Sequence, residues 1–158
     1  MSIFFNYVLN PKKMRTQISS LSNNYFTAYI DTDLDLYELY WHEASADMTD
    51  EDYQTLLSEG LKVLIDEGYI SSFKYQLLDN RFNFFTISPD LQEWQHENIG
   101  KKVVETIGYY PKTAFIQNAD FITQLSFEQT MEETGETAGL VRYFDNIEDA
   151  KAWLFDDA

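Results

Sequence analysis

The chain has 158 residues, enough for one domain with its own core, and it contains no cysteine. That excludes disulfides, thiolate metal sites and cysteine nucleophiles, and it fits a reducing compartment. A formal net charge of −16, from 27 acidic and 11 basic residues, repels phosphate backbones and anionic lipid, so neither nucleic acid nor a membrane surface is an expected partner. Aromatic residues make up 16% of the chain, which argues for a packed globule rather than a disordered acidic chain. No apolar run approaches the roughly 18 residues of a membrane span.

The opening "MSIFFNYVLNPKKMR" is apolar first and basic later, the reverse of a secretory signal, so a soluble cytoplasmic protein is expected. Ile3, Phe4, Phe5, Tyr7, Val8 and Leu9 would all be wet in a free tail. They are expected to dock on their own domain or on a second copy, making a homodimer. No Ser/Gly linker, repeat or low-complexity tract divides the chain. One domain is therefore expected over 1–158, with residues 1–20 as an N-terminal extension and 25–155 as the core.

"YFTAYID" (25–31) and "DLYELYWH" (35–42) are rich in aromatic and β-branched residues around a short polar turn, and predict a β-hairpin. "TDEDYQTLLSEGLKVLIDEG" follows. Thr49 can cap, three acidic residues sit at the positive helix end, and Tyr53, Leu56, Leu57, Leu61, Leu64 and Ile65 form one stripe. Gly68 supplies the stop. "FKYQLLD" (73–79) predicts a strand, and "NRFNFFTI" another strand or an aromatic loop. Ser88 before Pro89 opens a helix whose Leu91, Trp94, Ile99, Val103 and Ile107 share a side, with Gly108 at its end and Gly100 marking a bend. "KTAFIQ" (112–117) is a strand. A helix is expected from about 119 to 133, stopped by Gly135. "GLVRYFD" (139–145) is the last strand. Asp145 is expected to cap the final helix, with Glu148 three residues on and Trp153 folded back into the core. The order of elements implies an α/β fold: a mixed sheet of about four or five strands, an antiparallel hairpin and then parallel βα units.

Three stretches carry a resemblance: "RYFDNIEDAKAWL" (142–154), "ISPDLQEWQ" (87–95) and "YYPKTAFIQNADFI" (109–122). In this order the chain resembles the SpoIIAA-like, or STAS-like, family of small bacterial α/β proteins, over residues 25–155. The resemblance implies helices packed mainly on one face of the sheet, and a role in regulation or binding rather than catalysis. Sigma-regulating members carry Asp-Ser-Ser-Gly at a helix start, with a phosphorylated serine. The nearest match here is "TISPDL", where Ser88 occupies the helix start with Asp90 in its first turn. The Asp-Ser-Ser-Gly run itself is absent, which favours a divergent branch of unassigned activity.

Chemistry-bearing motifs are sparse. His42 and His96 are the only histidines, with no His-x-x-x-His pair, and no Gly-x-Ser-x-Gly elbow or glycine-rich phosphate loop occurs. Asp31, Asp33 and Asp35 alternate like the start of a calcium loop, but the sixth and twelfth positions are Leu36 and His42 rather than Gly and Glu. No catalytic residue, metal or cofactor is expected. Two functions stand: a noncatalytic regulatory or protein-interaction module, or a binder of a small apolar or lipid ligand. For the first, Ser88 and Asp90 are the candidate switch or anion site. For the second, Phe82, Phe84, Phe85, Trp94, Tyr109 and Tyr110 are the candidate pocket, with ordinary core as their alternative reading.

Overall fold

A computed structural model describes residues 15–118, 121 and 139–156. Six strands form one sheet in sequential order: β1 (Arg15–Gln17), β2 (Phe26–Asp31), β3 (Leu36–Trp41), β4 (Tyr75–Asp79), β5 (Lys112–Ile116) and β6 (Val141–Phe144). The first three pair antiparallel, and β3 to β6 are parallel. This is the mixed sheet read from the sequence, with β1 as an added edge strand. The β2–β3 hairpin turns at the alternating aspartates. Asp31 Oδ1 accepts the backbone N–H groups of Asp33 and Leu34 at 3.0 and 3.1 Å, and Asp35 takes a left-handed φ of 53°. The Asp31 carboxylate thus shapes a tight turn, as an Asx motif does.

Helix α1 (Asp50–Asp66) begins with a capping box in which Thr49 and Asp52 bond each other's backbone, and Gly68 follows its end at φ 79°. Helix α2 (Pro89–Gln95) runs through a π-helical turn, His96–Gly100, into α3 (Lys101–Ile107). The bend expected at Gly100 is therefore an inserted residue in the hydrogen-bond ladder rather than a glycine kink. These three helices pack on one face, against Phe26, Ala28, Ile30, Tyr37, Leu39 and Trp41. Ile18 and Leu21 join that core, so packed structure starts ahead of the hairpin. Gly60 of α1 sits under this segment: a Cβ there would lie 2.7 Å from Leu21 Cδ2. "NRFNFFTI" is a loop, since no strand is assigned between Asp79 and Pro89.

Helix α4 (Ile147–Leu154) packs on the opposite face, over Leu36, Tyr75, Leu77, Ala114 and Ile116. Its N-cap is Asn146, whose side chain accepts the Asp149 N–H at 2.8 Å; the expected cap, Asp145, lies one residue too early. Ala150 and Leu154 are the residues fully buried on the sheet. Trp153 is half-buried, packed beside Phe144 and under the Lys112 ammonium, which is 4.5 Å from its ring. The same ammonium donates to the carbonyls of Trp153, Leu154 and Asp156, closing the negative end of the helix.

The rest of that face carries a charged knot. Glu38 of β3 is 0% exposed. Arg15 Nε and Nη2 donate to its two oxygens at 2.7 and 3.2 Å, the Tyr40 hydroxyl donates to Oε1, and Lys151 Nζ lies 3.8 Å away. The Arg15 guanidinium also lies 4.0 Å above the Tyr29 ring. Both oxygens of the buried carboxylate are thus hydrogen-bonded and its charge is compensated, which is what makes its burial tolerable.

The apolar segment 3–9 and the helix expected over 119–133 fall outside the described residues, except Phe121. Among the described residues no helix is long and apolar enough to cross a membrane.

Candidate functional site

Parallel strands deliver their carboxyl ends to one edge, where the chain departs toward a helix and leaves a crevice. In this fold β4 ends at Asp79, and residues 80–88 fold back across α1 before α2 begins. The buried Ser45 hydroxyl pins that loop: it donates to the Phe82 carbonyl at 3.2 Å and accepts the Phe84 N–H at 2.8 Å. Between the loop, α1, α2 and the sheet lies a cleft of about 480 Å³. This is within the range of small-molecule sites.

The apolar lining comes in two aromatic stacks. Trp41, Tyr53 and Phe85 form the first, with interplanar angles of 9° and 19° and centroids 6.4 and 5.1 Å apart. Phe115 and Tyr143 form the second, 5.0 Å apart at 15°. Burial pushes the Tyr53 phenol up to about 12, so it is neutral at any physiological pH.

The polar lining consists of carboxamides: Asn80, Asn83, Gln92, Gln95 and Gln117. Asn83 is engaged, accepting the Phe85 N–H at 3.1 Å. The side-chain amides of the other four have no hydrogen-bond partner among the described residues, and none is sealed from solvent. No described lining residue carries a charge, in a chain with 38 charged side chains (27 acidic, 11 basic). Two smaller voids, of about 130 and 160 Å³, adjoin the cleft beneath α2 and α3. All three spaces are lined by Leu78 and Gln95. Gln95 immediately precedes the π turn, a distortion that often accompanies functional sites.

Comparison with family models, with curated proteins and with solved structures finds no match. The site therefore stands on its own geometry.

The structure does not gather the six aromatic candidates into one cavity. Phe85 lines the cleft. Trp94 is half-buried against the α1-side core. Phe82 and Phe84 lie on the loop, 47% and 51% exposed and edge to face at 6.5 Å. Tyr109 and Tyr110 follow α3 at the opposite, amino end of β5, and Tyr110 borders the 160 Å³ void. Ser88 is the N-cap of α2, its hydroxyl accepting the Leu91 N–H at 3.2 Å, with Asp90 exposed in the first turn. Ser88→Ala is expected to cost about 1 kcal/mol in chemical denaturation, the usual value of a lost cap.

His42 bonds Thr27 at 2.7 Å, and His96 is exposed in the π turn. No metal-holding group of His, Cys, Asp or Glu occurs among the described residues. Sequence reasoning missed Trp41, Tyr53, Phe115, Tyr143 and the carboxamides as a site. One signal was present: Gln76 and Gln117 fall at positions that alternate with the apolar residues of β4 and β5 and share a face with Leu78 and Phe115.

Proposed function

We propose that this chain is a noncatalytic binding protein that holds a small molecule in the cleft at the carboxyl ends of β3, β4 and β5. The observation that carries this reading is the set of four carboxamides, without a side-chain hydrogen-bond partner among the described residues, that share the cleft with two aromatic stacks. Their polar atoms stay open to solvent, so they are free to bond a molecule that enters between the aromatic walls. The STAS-like resemblance, with its expectation of regulation or binding, supports a noncatalytic role, as does the mixed sheet with three of four described helices on one face. A cytoplasmic location fits the absence of cysteine.

The test is a fragment screen read by the side-chain amide resonances of the full-length protein. Fragments are expected to move the Gln92, Gln95, Gln117 and Asn80 signals. Gln95→Leu is expected to weaken the binding that produces those shifts while leaving the unfolding midpoint in place. Failure of every fragment to perturb these amides would overturn the reading.

A second reading rests on Phe82 and Phe84. Two rings half in water on a loop pinned through Ser45 suit a protein-interaction surface, the role expected of a regulatory module, and a homodimer is one form it could take.

A further inference from the structure

The chemistry of the cleft also selects among ligands, and this step rests on the binding role proposed above. We infer that the ligand is an uncharged planar heterocycle of nucleobase type, stacked against the aromatic walls and read along its edge by carboxamides.

Three features lead there. The first is the placement of the amides. Asp79 and Ile116 are register partners on adjacent parallel strands, and the Asn80 N–H continues the ladder by donating to the Ile116 carbonyl at 2.9 Å. Asn80 and Gln117 are the next residues on each strand, so they stand side by side on the helix-covered face. Gln92 and Gln95 are three apart on α2, hence neighbours on one helix surface. Two pairs of carboxamides therefore border one cleft from opposite sides. Each carboxamide offers a donor and an acceptor next to each other, the complement of a base edge that carries an acceptor beside a donor.

The second feature is the shape of the walls. The Trp41–Tyr53–Phe85 stack belongs to β3, α1 and the loop, and the Phe115–Tyr143 stack to β5 and β6. β3 and β5 are two strand spacings apart, about 9.5 Å. On this face between them β4 contributes Leu78 and then Asn80. Flat aromatic walls favour a flat partner, which stacks irrespective of its exact identity.

The third is charge. Among the described residues no Lys, Arg or His lines the cleft, and the loop cation Arg81 is already engaged, holding Asp79 through bonds of 3.0 and 2.7 Å. A phosphate or carboxylate would enter a chain of net charge −16 with no counter-charge waiting. A cationic ligand would find no carboxylate among the described lining residues. The site suits free bases and nucleosides, and disfavours nucleotides.

The experiment titrates the full-length protein with adenine, adenosine, uridine, adenosine monophosphate, glucose and maltose, by calorimetry and by the side-chain amide resonances. Adenine or a nucleoside is expected to saturate and to shift the four amides. The monophosphate is expected to bind at least roughly tenfold more weakly, and the sugars not at all. Gln95→Leu and Gln117→Leu should each weaken the heterocycle roughly tenfold at an unchanged unfolding midpoint, as expected for loss of a bonded edge. Binding of sugars without heterocycles, or equal binding of base and monophosphate, overturns the ligand class and leaves the binding role intact. If fragments move the amides and no heterocycle does, the class again falls alone. If neither does, both fall.

Discussion

Arg15→Ala is expected to destabilise the fold by about 3 kcal/mol at neutral pH, near the lower end for breaking a buried ion pair. The lower end is appropriate because the Arg15 side chain is 42% exposed and Lys151 stays 3.8 Å from Glu38. What the substitution leaves behind is a fully buried carboxylate on a strand at the centre of the β1–β4 half-sheet. Burial alone would raise the Glu38 pKa. The Arg15 and Tyr40 hydrogen bonds and the Lys151 and Arg15 charges outweigh that and hold it below the ordinary value. A depressed folded value means that the knot contributes its stability above the unfolded pKa of about 4.5, and loses it as pH falls through the folded value.

In Arg15→Ala burial gains ground and the Glu38 value rises, so the variant loses ground as pH increases. The gap between the two proteins should therefore be widest near pH 7 and close toward pH 4. Glu38→Leu should cost much less, because a released Arg15 can turn to water, whereas a released Glu38 cannot. Urea denaturation from pH 4 to pH 8 checks both. A pH-independent gap, or a Glu38→Leu cost equal to that of Arg15→Ala, would contradict this account.

Leu154→Ala should cost more than Trp153→Ala, although tryptophan is the larger side chain. Leu154 is 0% exposed and seated between Leu77, Ala114 and Ile116. Truncation there leaves a cavity and about 3 kcal/mol of lost stability, within the 2–5 kcal/mol range for core leucines. Trp153 was expected from the sequence to be core, with a loss of about 3–5 kcal/mol on truncation. It is half-buried, and its ring is bounded by Phe144 on one side and the Lys112 ammonium on another. About 1–2 kcal/mol is the expected loss, in proportion to the area it covers. Paired denaturation midpoints decide the order.

These two cases show where the sequence is legible and where it is not. Local signals read well: the hairpin turn at residues 32–34, the Thr49 cap, Ser88 before Pro89, and the left-handed glycines Gly68 and Gly108 each act within four residues of where they stand. β1 did not read, because "RTQ" is three exposed polar residues whose strand character comes from pairing with Tyr29–Asp31 of β2, with Arg15 also reaching Glu38, 23 positions away. The π turn "HENIG" has no local marker beyond its glycine. Trp153 misled because helix α4 meets the sheet along Ala150 and Leu154, four apart, and the tryptophan stands beside that line. The carboxamides of the cleft come from the residues just after β4 and β5, from the loop that follows β4, and from α2. A glutamine on any one of these looks like an ordinary surface residue until the sheet order brings the four elements together.

The short first strand has a consequence for the chain's behaviour at high concentration. β2, "FTAYID", is the sort of aromatic, β-branched segment that another unfolded molecule could extend into a fibril. β1 occupies its outer hydrogen-bonding edge over Asp31, Ile30 and Tyr29. It is itself only three residues long and is headed by a guanidinium drawn inward onto a carboxylate. Such a border gives an arriving strand too few amides to grip. The ion pair that fastens Arg15 thus guards against fibril growth as well as holding the sheet: loosening it uncovers the segment of this margin best suited to cross-β stacking.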